Sequence, residues 1–399
     1  MAALRWLCAI QLLAMGAMEM SGPFWPLQLR ILGDPPGGLA LASAVAYAGP
    51  LVTAMLFAPL WGRLGDRVGH KPMLLRALLA LAATQLWLGM TQSGAVVLAV
   101  RLLQGALAGY IAAAQAYGAG IVPRAERGAL MARLQVATAL GSVLGPLAGG
   151  MLFSVAGFAA VNMVAAALCL GCAVAAALVL PRARSPLQVE PGKTGAAATP
   201  GQPLGGVVGG LLAGIVLVQA GKMMPQGFFS LYAEQVLHAR PWLTGLCYGA
   251  TAAGLCLCAP LWARAFKDQA QDWVLRRLEW ICWASVAIVA VQAVARSVAL
   301  VLLARLAWGV ALAALLPVFY GLLSAAVDDS QQGRALGAGN SAAKAGALLG
   351  AAAGGLAMAL VPLQHILWSV AALYALAACG LRLLKNGDVT GFPAQPRQP

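Results

Sequence analysis

Apolar residues run through this chain in long, almost unbroken stretches, and the polar positions gather in short clusters between them. Twelve stretches can be marked off: residues 6–29, 40–62, 72–91, 94–121, 129–153 and 158–180, then 206–231, 242–265, 273–293, 297–325, 334–358 and 361–384. Each reaches about the 20 residues that a helix needs to cross the hydrocarbon of a bilayer. Between the sixth and the seventh, the segment from Pro181 to Leu204 mixes Pro, Gly, Ser, Arg and Lys without a helical apolar period and reads as a flexible linker. The pattern predicts an all-α membrane protein of twelve transmembrane helices in two six-helix halves, 1–180 and 206–385, with a linker at 181–205 and a tail at 386–399. Arg5 followed by an apolar run imitates a signal peptide, but the run continues past Glu19 to Leu29, longer than the roughly 7–15 residues of an h-region, so it reads as the first span.

Composition agrees with lipid as the solvent. The chain of 399 residues is 61% hydrophobic and 10% charged, against about 25% charged in an ordinary soluble domain. The net charge of +14 does not point to nucleic acid, because no basic stripe is interleaved with exposed aromatics. The basic residues sit in short loops instead. Those on the side of the termini include Arg63, Arg67, Lys71, Arg127, Arg264 and Arg334, while the opposite loops carry only Arg30, Arg240 and Arg296. The positive-inside bias therefore predicts that both termini are cytoplasmic. All eight cysteines fall in apolar segments; Cys169 and Cys172 have no His or second pair near them, so neither a disulfide framework nor a metal site is expected.

The two halves repeat. Met20–Leu27 faces Met224–Leu231 at an offset of 204 residues, and Arg101-Leu-x-x-Gly105 faces Arg305-Leu-x-x-Gly309 at the same offset. Ala58-Pro-Leu-Trp61 matches Ala259-Pro-Leu-Trp262 at 201, and Ala148-Gly-Gly150 matches Ala353-Gly-Gly355. A duplicated bundle of this kind places a ligand site near the midplane, between the halves.

Three motifs carry a family resemblance. After the second stretch comes Gly62-x-Leu64-x-Asp66-Arg67-x-Gly69-His70-Lys71; the fourth holds Arg101-x-x-Gln104-Gly105; the fifth holds Gly141-x-x-x-Gly145-Pro146-x-x-Gly149-Gly150. Over essentially its whole length the sequence resembles the major facilitator superfamily, with His70 standing where the family pattern has a basic residue. The resemblance implies that Gly62, Asp66, Arg67, Gly69 and Lys71 form a conformational latch that closes the cytoplasmic side. The glycines permit a tight turn and Asp66 can accept bonds from a helix N-terminus. The fifth-stretch motif is similar to that of proton-driven exporters. Its glycines at i, i+4 and i+8 let helices touch backbones, and Pro146 removes a hydrogen bond where the helix can bend. Within the superfamily the chain resembles the drug–proton antiporter branch, and Glu19–Leu27 is similar to bacterial siderophore exporters of the alcaligin type.

Five ionisable side chains lie well inside the predicted spans: Glu19, Arg101, Lys222, Arg305 and Lys344. Such residues are costly in hydrocarbon and usually face a bundle interior or an aqueous cavity. Glu19 is the deep acid. Desolvation favours its protonated form and a nearby cation its ionised form, the balance that proton exchange needs. Glu19 falls within one residue of the repeat position of Lys222, so the two are expected to face each other. Arg101 cannot readily lose its proton, and the resemblance gives it a coupling role with Glu19. Four cations against one acid predict a positive cavity suited to an anionic or oxygen-rich substrate, with Lys222, Arg305, Lys344, Trp25, Gln115 and Gln226 as candidate substrate contacts. Pro23, Pro26 and Pro225 mark irregular backbone beside them.

No motif suggests an enzyme, a cofactor or an ATPase. The expected partners are a small-molecule substrate, protons and the bilayer of a bacterial inner membrane, with the protein acting as a monomer. The functional expectation is a proton-coupled exporter of a polar or anionic metabolite of siderophore type. A multidrug efflux antiporter is the alternative, kept open by Met18, Met20, Met223 and Met224. A non-transporting receptor or scaffold fits the intact second- and fifth-stretch motifs less well.

Overall fold

A computed structural model describes residues 2–33, 37–123, 126–181, 206–328 and 331–386. The expected linker beyond residue 181 and the tail beyond residue 386 lie outside the described residues. The fold is all-helical, in the order α1 (Ala2–Ser21), α2 (Trp25–Ile31), α3 (Gly38–Val68), α4 (His70–Met90), α5 (Gly94–Ala106), α6 (Tyr110–Ile121), α7 (Arg127–Val179), α8 (Gly206–Met223), α9 (Phe229–Gln235), α10 (Pro241–Ala265), α11 (Gln271–Val294), α12 (Val298–Ala325), α13 (Gln332–Leu360) and α14 (Leu363–Asn386).

Ten helical segments of the described residues are long and apolar enough to cross a membrane. One of them, α7, counts twice. Gly157 inside it has φ 79° and ψ 173°, a backbone that breaks the helix and that glycine alone adopts readily. Packing proves the reversal. Gly141 lies against Leu12 of α1 and Cys172 against Ile10, although a straight helix would hold residues 141 and 172 about 46 Å apart. The other span outside the ten is α11, which carries Asp272, Arg276, Arg277 and Glu279 in its first turns. The result is twelve spans among the described residues.

Three spans are interrupted. Between α1 and α2, Gly22–Phe24 forms a 3₁₀ turn, and between α8 and α9 so does Met224–Gly227. Pro23 and Pro225 occupy these turns, where a missing N–H costs least. The fourth span also breaks, at Leu107–Gly109, where Gly109 has φ 121°. An uninterrupted 94–121 helix was the expectation there. The break is held open by Arg76 of α4, which donates to Leu107 O (3.1 Å) and Ala108 O (3.2 Å) and stacks 3.7 Å from the Trp61 ring. Trp61 Nε1 in turn donates to Ala106 O at 2.6 Å. The repeat preserves the last bond, from Trp262 Nε1 to Val310 O at 2.8 Å, on a helix that stays continuous.

Buried side chains form separate apolar cores. One is built from residues 207–381, and two more from residues 7–180. Large apolar side chains such as Leu56, Leu178, Leu257 and Leu360 point outward instead, as lipid contact requires.

The fifth-stretch glycines show how the halves are assembled. A Cβ on Gly141 or Gly145 would strike α1, at Met15 Cβ (2.8 Å) and Glu19 Cβ (2.8 Å), and one on Gly149 would strike the Met20 carbonyl. Gly150 faces the other half, with Pro241 O at 2.6 Å and Trp242 Cα at 3.0 Å from its Cβ position. In α13 the same ladder recurs. Gly346 and Gly350 lie on Val216 and Ala220 of α8, Gly354 on Met224 of the turn that follows it, and Gly355 on Ala44 of α3, in the opposite half. Pro146 sits within continuous helix, its carbonyl against Gly245 of α10.

Candidate functional site

The last turn of α1 carries Glu19 and the last turn of α8 carries Lys222, each just before a 3₁₀ interruption. The interruptions fix the placement, because helical capacity ends there and the side chains project where the halves meet. Glu19 is half-buried, with its Oε2 folded 3.1 Å from the Cβ position of Gly22. Arg101 and Lys222 are the cations within electrostatic reach of its carboxylate. Neither forms an ion pair with it, and among the described residues it accepts no hydrogen bond. Its oxygens thus keep acceptor capacity that no described residue uses.

Arg101 of α5 is fixed tightly. Its Nε (3.1 Å) and Nη2 (2.9 Å) both donate to Ala46 O, and its Nη1 donates to Gln104 Oε1. The guanidinium lies 4.9 Å from the Trp25 ring. Tyr47, beside Ala46, donates to Gly22 O at 2.6 Å and so ties α3 to the interruption of the first span. Tyr47, Tyr110 and Tyr248 also feel the charge of Glu19. These tyrosines were not singled out in the sequence; the 201-residue offset between Tyr47 and Tyr248 is the signal that could have found two of them.

The expected cation cluster is smaller than four. Arg305 is 2% exposed, with its guanidinium among the rings of Phe229, Tyr248 and Trp308. Lys344 is exposed on α13 and lines a different space, a cavity of about 530 Å³ bounded by α3, α4, α6 and α13. Two cations are therefore in electrostatic reach of Glu19, a smaller positive excess than four would give. Trp25 is fully buried, edge-on to Phe158 at 5.0 Å, so it supports Arg101 from behind. Gln226 is half-buried in the Met224–Gly227 turn, and Gln115 half-buried on α6.

Asp66 and His70 line the 530 Å³ cavity opposite Lys344. The expected latch is not fastened to the other half. Asp66 and Arg67 are exposed without an ion pair among the described residues, and the Cβ position of Gly62 meets nothing within 4 Å. Lys71 instead donates to Ala177 O (2.9 Å) and to Leu180 O, carbonyls of its own half. Gly69, with φ 94° and ψ 160°, makes the reversal between α3 and α4. The opposite face is shut. Arg30 and Glu234 form an ion pair across the halves, Trp242 N–H donates to Ser154 Oγ at 3.1 Å, and the contacts of Gly150, Gly245 and Gly355 close the same end. Glu279 pairs with Lys385 at 3.7 Å and stays out of the central site.

Residues 7–291 match the family model described as Major Facilitator Superfamily. Among curated relatives, the staphyloferrin B transporter of Staphylococcus aureus is 36% identical over 154 residues, 38% of this chain and 37% of that protein. The multi-drug resistance efflux pump PmrA homolog of Lactococcus lactis is 34% identical over 146 residues, 37% of this chain and 36% of that protein. The multidrug resistance protein MdtG of Citrobacter koseri is 34% identical over 157 residues, 39% of each. The matched region thus spans well under half of these relatives. Of solved structures, a bacterial homologue of the iron transporter ferroportin in an inward-facing state superposes with a TM-score of 0.73 at 14% identity, covering 96% of this chain and 98% of that one. A bacterial homolog of the lysosomal transporter Spinster, inward-facing and occupied, gives 0.72 at 13% identity and 98% coverage of both.

Proposed function

The chain belongs to the Major Facilitator Superfamily, and we propose that within it the protein is a proton-coupled exporter of a small oxygen-rich metabolite of siderophore class. It is a multi-pass membrane transporter, not an enzyme. In this reading it sits in a bacterial inner membrane as a monomer with both termini cytoplasmic, as the loop charges favour. The face closed by Arg30 and Glu234 is then external, and the cavity beside Asp66 opens inward.

One observation carries the proposal: Glu19, without an ion-pair partner, sits within electrostatic reach of Arg101 and Lys222, next to the interruption of the first span, while Lys222 borders that of the seventh. Exchange requires that substrate and proton exclude each other. A substrate bearing only a carboxylate would repel ionised Glu19 and favour its protonation, which is co-transport. A substrate that offers a carboxylate to Lys222 and a hydroxyl, hydroxamate or ammonium donor to Glu19 needs that acid ionised. Its arrival inside therefore expels the proton, and protonation outside releases it. Arg101, fixed by Ala46 and Gln104, holds a constant charge beside the acid. Opening and closing then follow from rocking of the two halves, with the Gly62–Lys71 turn fastening the inner side when the outer side opens. The relatedness to a staphyloferrin B transporter supports the substrate class, while that to PmrA and MdtG supports the alternative of multidrug efflux.

In inverted vesicles, Glu19→Gln, which fixes the site in its neutral form, is expected to abolish export driven by a pH gradient and to leave substrate exchange down its own gradient only at a raised KM. Full gradient-driven export by this variant refutes the coupling role. A deletion strain that secretes siderophore normally but becomes sensitive to dyes establishes multidrug efflux instead.

A further inference from the structure

The internal repeat places Arg305 in the setting of Arg101, yet chemically the two settings differ. Arg101, Tyr47 and Trp25 recur as Arg305, Tyr248 and Phe229, with the guanidinium over the ring in both: 4.9 Å to Trp25, 3.4 Å to Phe229. In the first half every nitrogen of the guanidinium donates to an acceptor, Ala46 O or Gln104 Oε1. In the second half those acceptors have been lost. The position of Gln104 is taken by Trp308, whose Nε1 is a donor, and the carbonyl equivalent to Ala46 O, that of Cys247, accepts from Thr251 Oγ1 at 3.2 Å.

Arg305 is consequently 2% exposed with Nε and Nη2 unpartnered. Beside it Trp308 Nε1 and Tyr374 Oη, a hydroxyl that can donate or accept, stand without a partner in hydrogen-bond geometry, on rings packed edge-on at 6.3 Å, with Tyr374 in electrostatic reach of the guanidinium. Among the described residues no carboxylate is in electrostatic reach of the Arg305 guanidinium; Glu234 is paired with Arg30 and Glu279 with Lys385. Stacking on aromatic faces stabilises a cation but does not satisfy its N–H groups, and an uncompensated buried charge is strongly unfavourable. A buried charge with two unmet nitrogens, an indole N–H beside it and a hydroxyl able to turn its proton the same way are together complementary to an anion.

We propose that Arg305, Trp308 and Tyr374 form an occluded site for a small inorganic anion, chloride under cellular conditions, resident in the second half and separate from the Glu19 site. Enclosure by Phe229, Tyr248 and Trp308 selects a monatomic ion over a substrate carboxylate or phosphate, which would need a path and a larger space. Chloride supplies the acceptor that Gln104 supplies to Arg101, and it neutralises the core where α9, α10, α12 and α14 converge.

The test is thermal unfolding of the purified full-length protein in detergent, titrated with sodium chloride against sodium gluconate at matched ionic strength. The melting temperature is expected to rise saturably with chloride and with bromide, but not with gluconate. Arg305→Gln is expected to lose the dependence and Arg101→Gln to keep it. Trp308→Gln restores an internal acceptor and is expected to raise the half-saturating chloride at least tenfold, which keeps the test decisive if Arg305→Gln fails to fold. Equal melting temperatures in chloride and gluconate mean that water alone serves the guanidinium, and they overturn the proposal. So does a chloride effect that survives Trp308→Gln unchanged or that disappears in Arg101→Gln.

Discussion

Gly245→Ala tests whether backbone contact between the halves sets their conformational balance. A Cβ at residue 245 would meet the Pro146 carbonyl, with its carbon at 3.0 Å, and Gly150 Cα at 3.3 Å. All of these are backbone atoms of the opposite half, so no side chain can swing aside. Overpacking a tight contact costs about 1–3 kcal/mol. The cost applies only while the face near Arg30 and Glu234 is shut, because the contact is lost when that face opens. The equilibrium should therefore move toward the opened form by about 5- to 150-fold. Ser93 and Ser297 are exposed N-cap residues at that same end, one in each half. Spin labels at Ser93→Cys and Ser297→Cys in a cysteine-free background report the separation by pulsed electron paramagnetic resonance. The parent is expected to show mainly the short distance and Gly245→Ala a second, longer population. Gly171→Ala, where a Cβ meets nothing within 4 Å, is the control. Identical distributions for the parent and a well-folded Gly245→Ala would refute the argument.

Two further outcomes follow from polar contacts. Arg30→Glu or Glu234→Arg alone should open the same face by a few-fold, since a half-exposed ion pair contributes about 0–1 kcal/mol. The double swap should restore the parental distance distribution, and failure to do so removes the pair from the closure. Arg76→Met leaves the carbonyls of Leu107 and Ala108 without their donor and should cost about 1.5–3 kcal/mol. Arg76→Lys should recover only part, because an ammonium lacks the planar fork that spans both oxygens. An unchanged melting temperature in Arg76→Met would show that the helix break does not depend on this cap.

Much of the fold was legible because lipid imposes a coarse rule: apolar runs of sufficient length become helices. The prolines at 23 and 225 announced the interrupted spans, and the repeat offset pointed to Glu19 and Lys222 lying within electrostatic reach of each other. The break at Leu107–Gly109 was hidden, since its residues are as apolar as their neighbours and the cap comes from Arg76, 31 residues earlier. Arg305 misled for a related reason. Its local motif copies that of Arg101, while its surroundings are decided by Trp308, Thr251 and Phe229, which sequence spacing alone does not bring together. The latch residues were recognisable as a turn, but whether a turn is fastened depends on the state of the whole molecule.

The glycine ladders give α7 and α13 a division of labour that genetics can read. Gly141, Gly145 and Gly149 clasp a helix of their own half, whereas Gly150 touches only the other. Enlarging one of the first three prevents a half from forming and removes protein from the membrane. Enlarging the fourth leaves both halves intact and alters only how they meet. Neighbouring positions on one helix should thus yield two kinds of defective allele, one lost from immunoblots and one present in full amount but biased in its cycle. Second-site revertants of the latter kind should fall across the interface, on α10 for Gly150 and on α3 for Gly355.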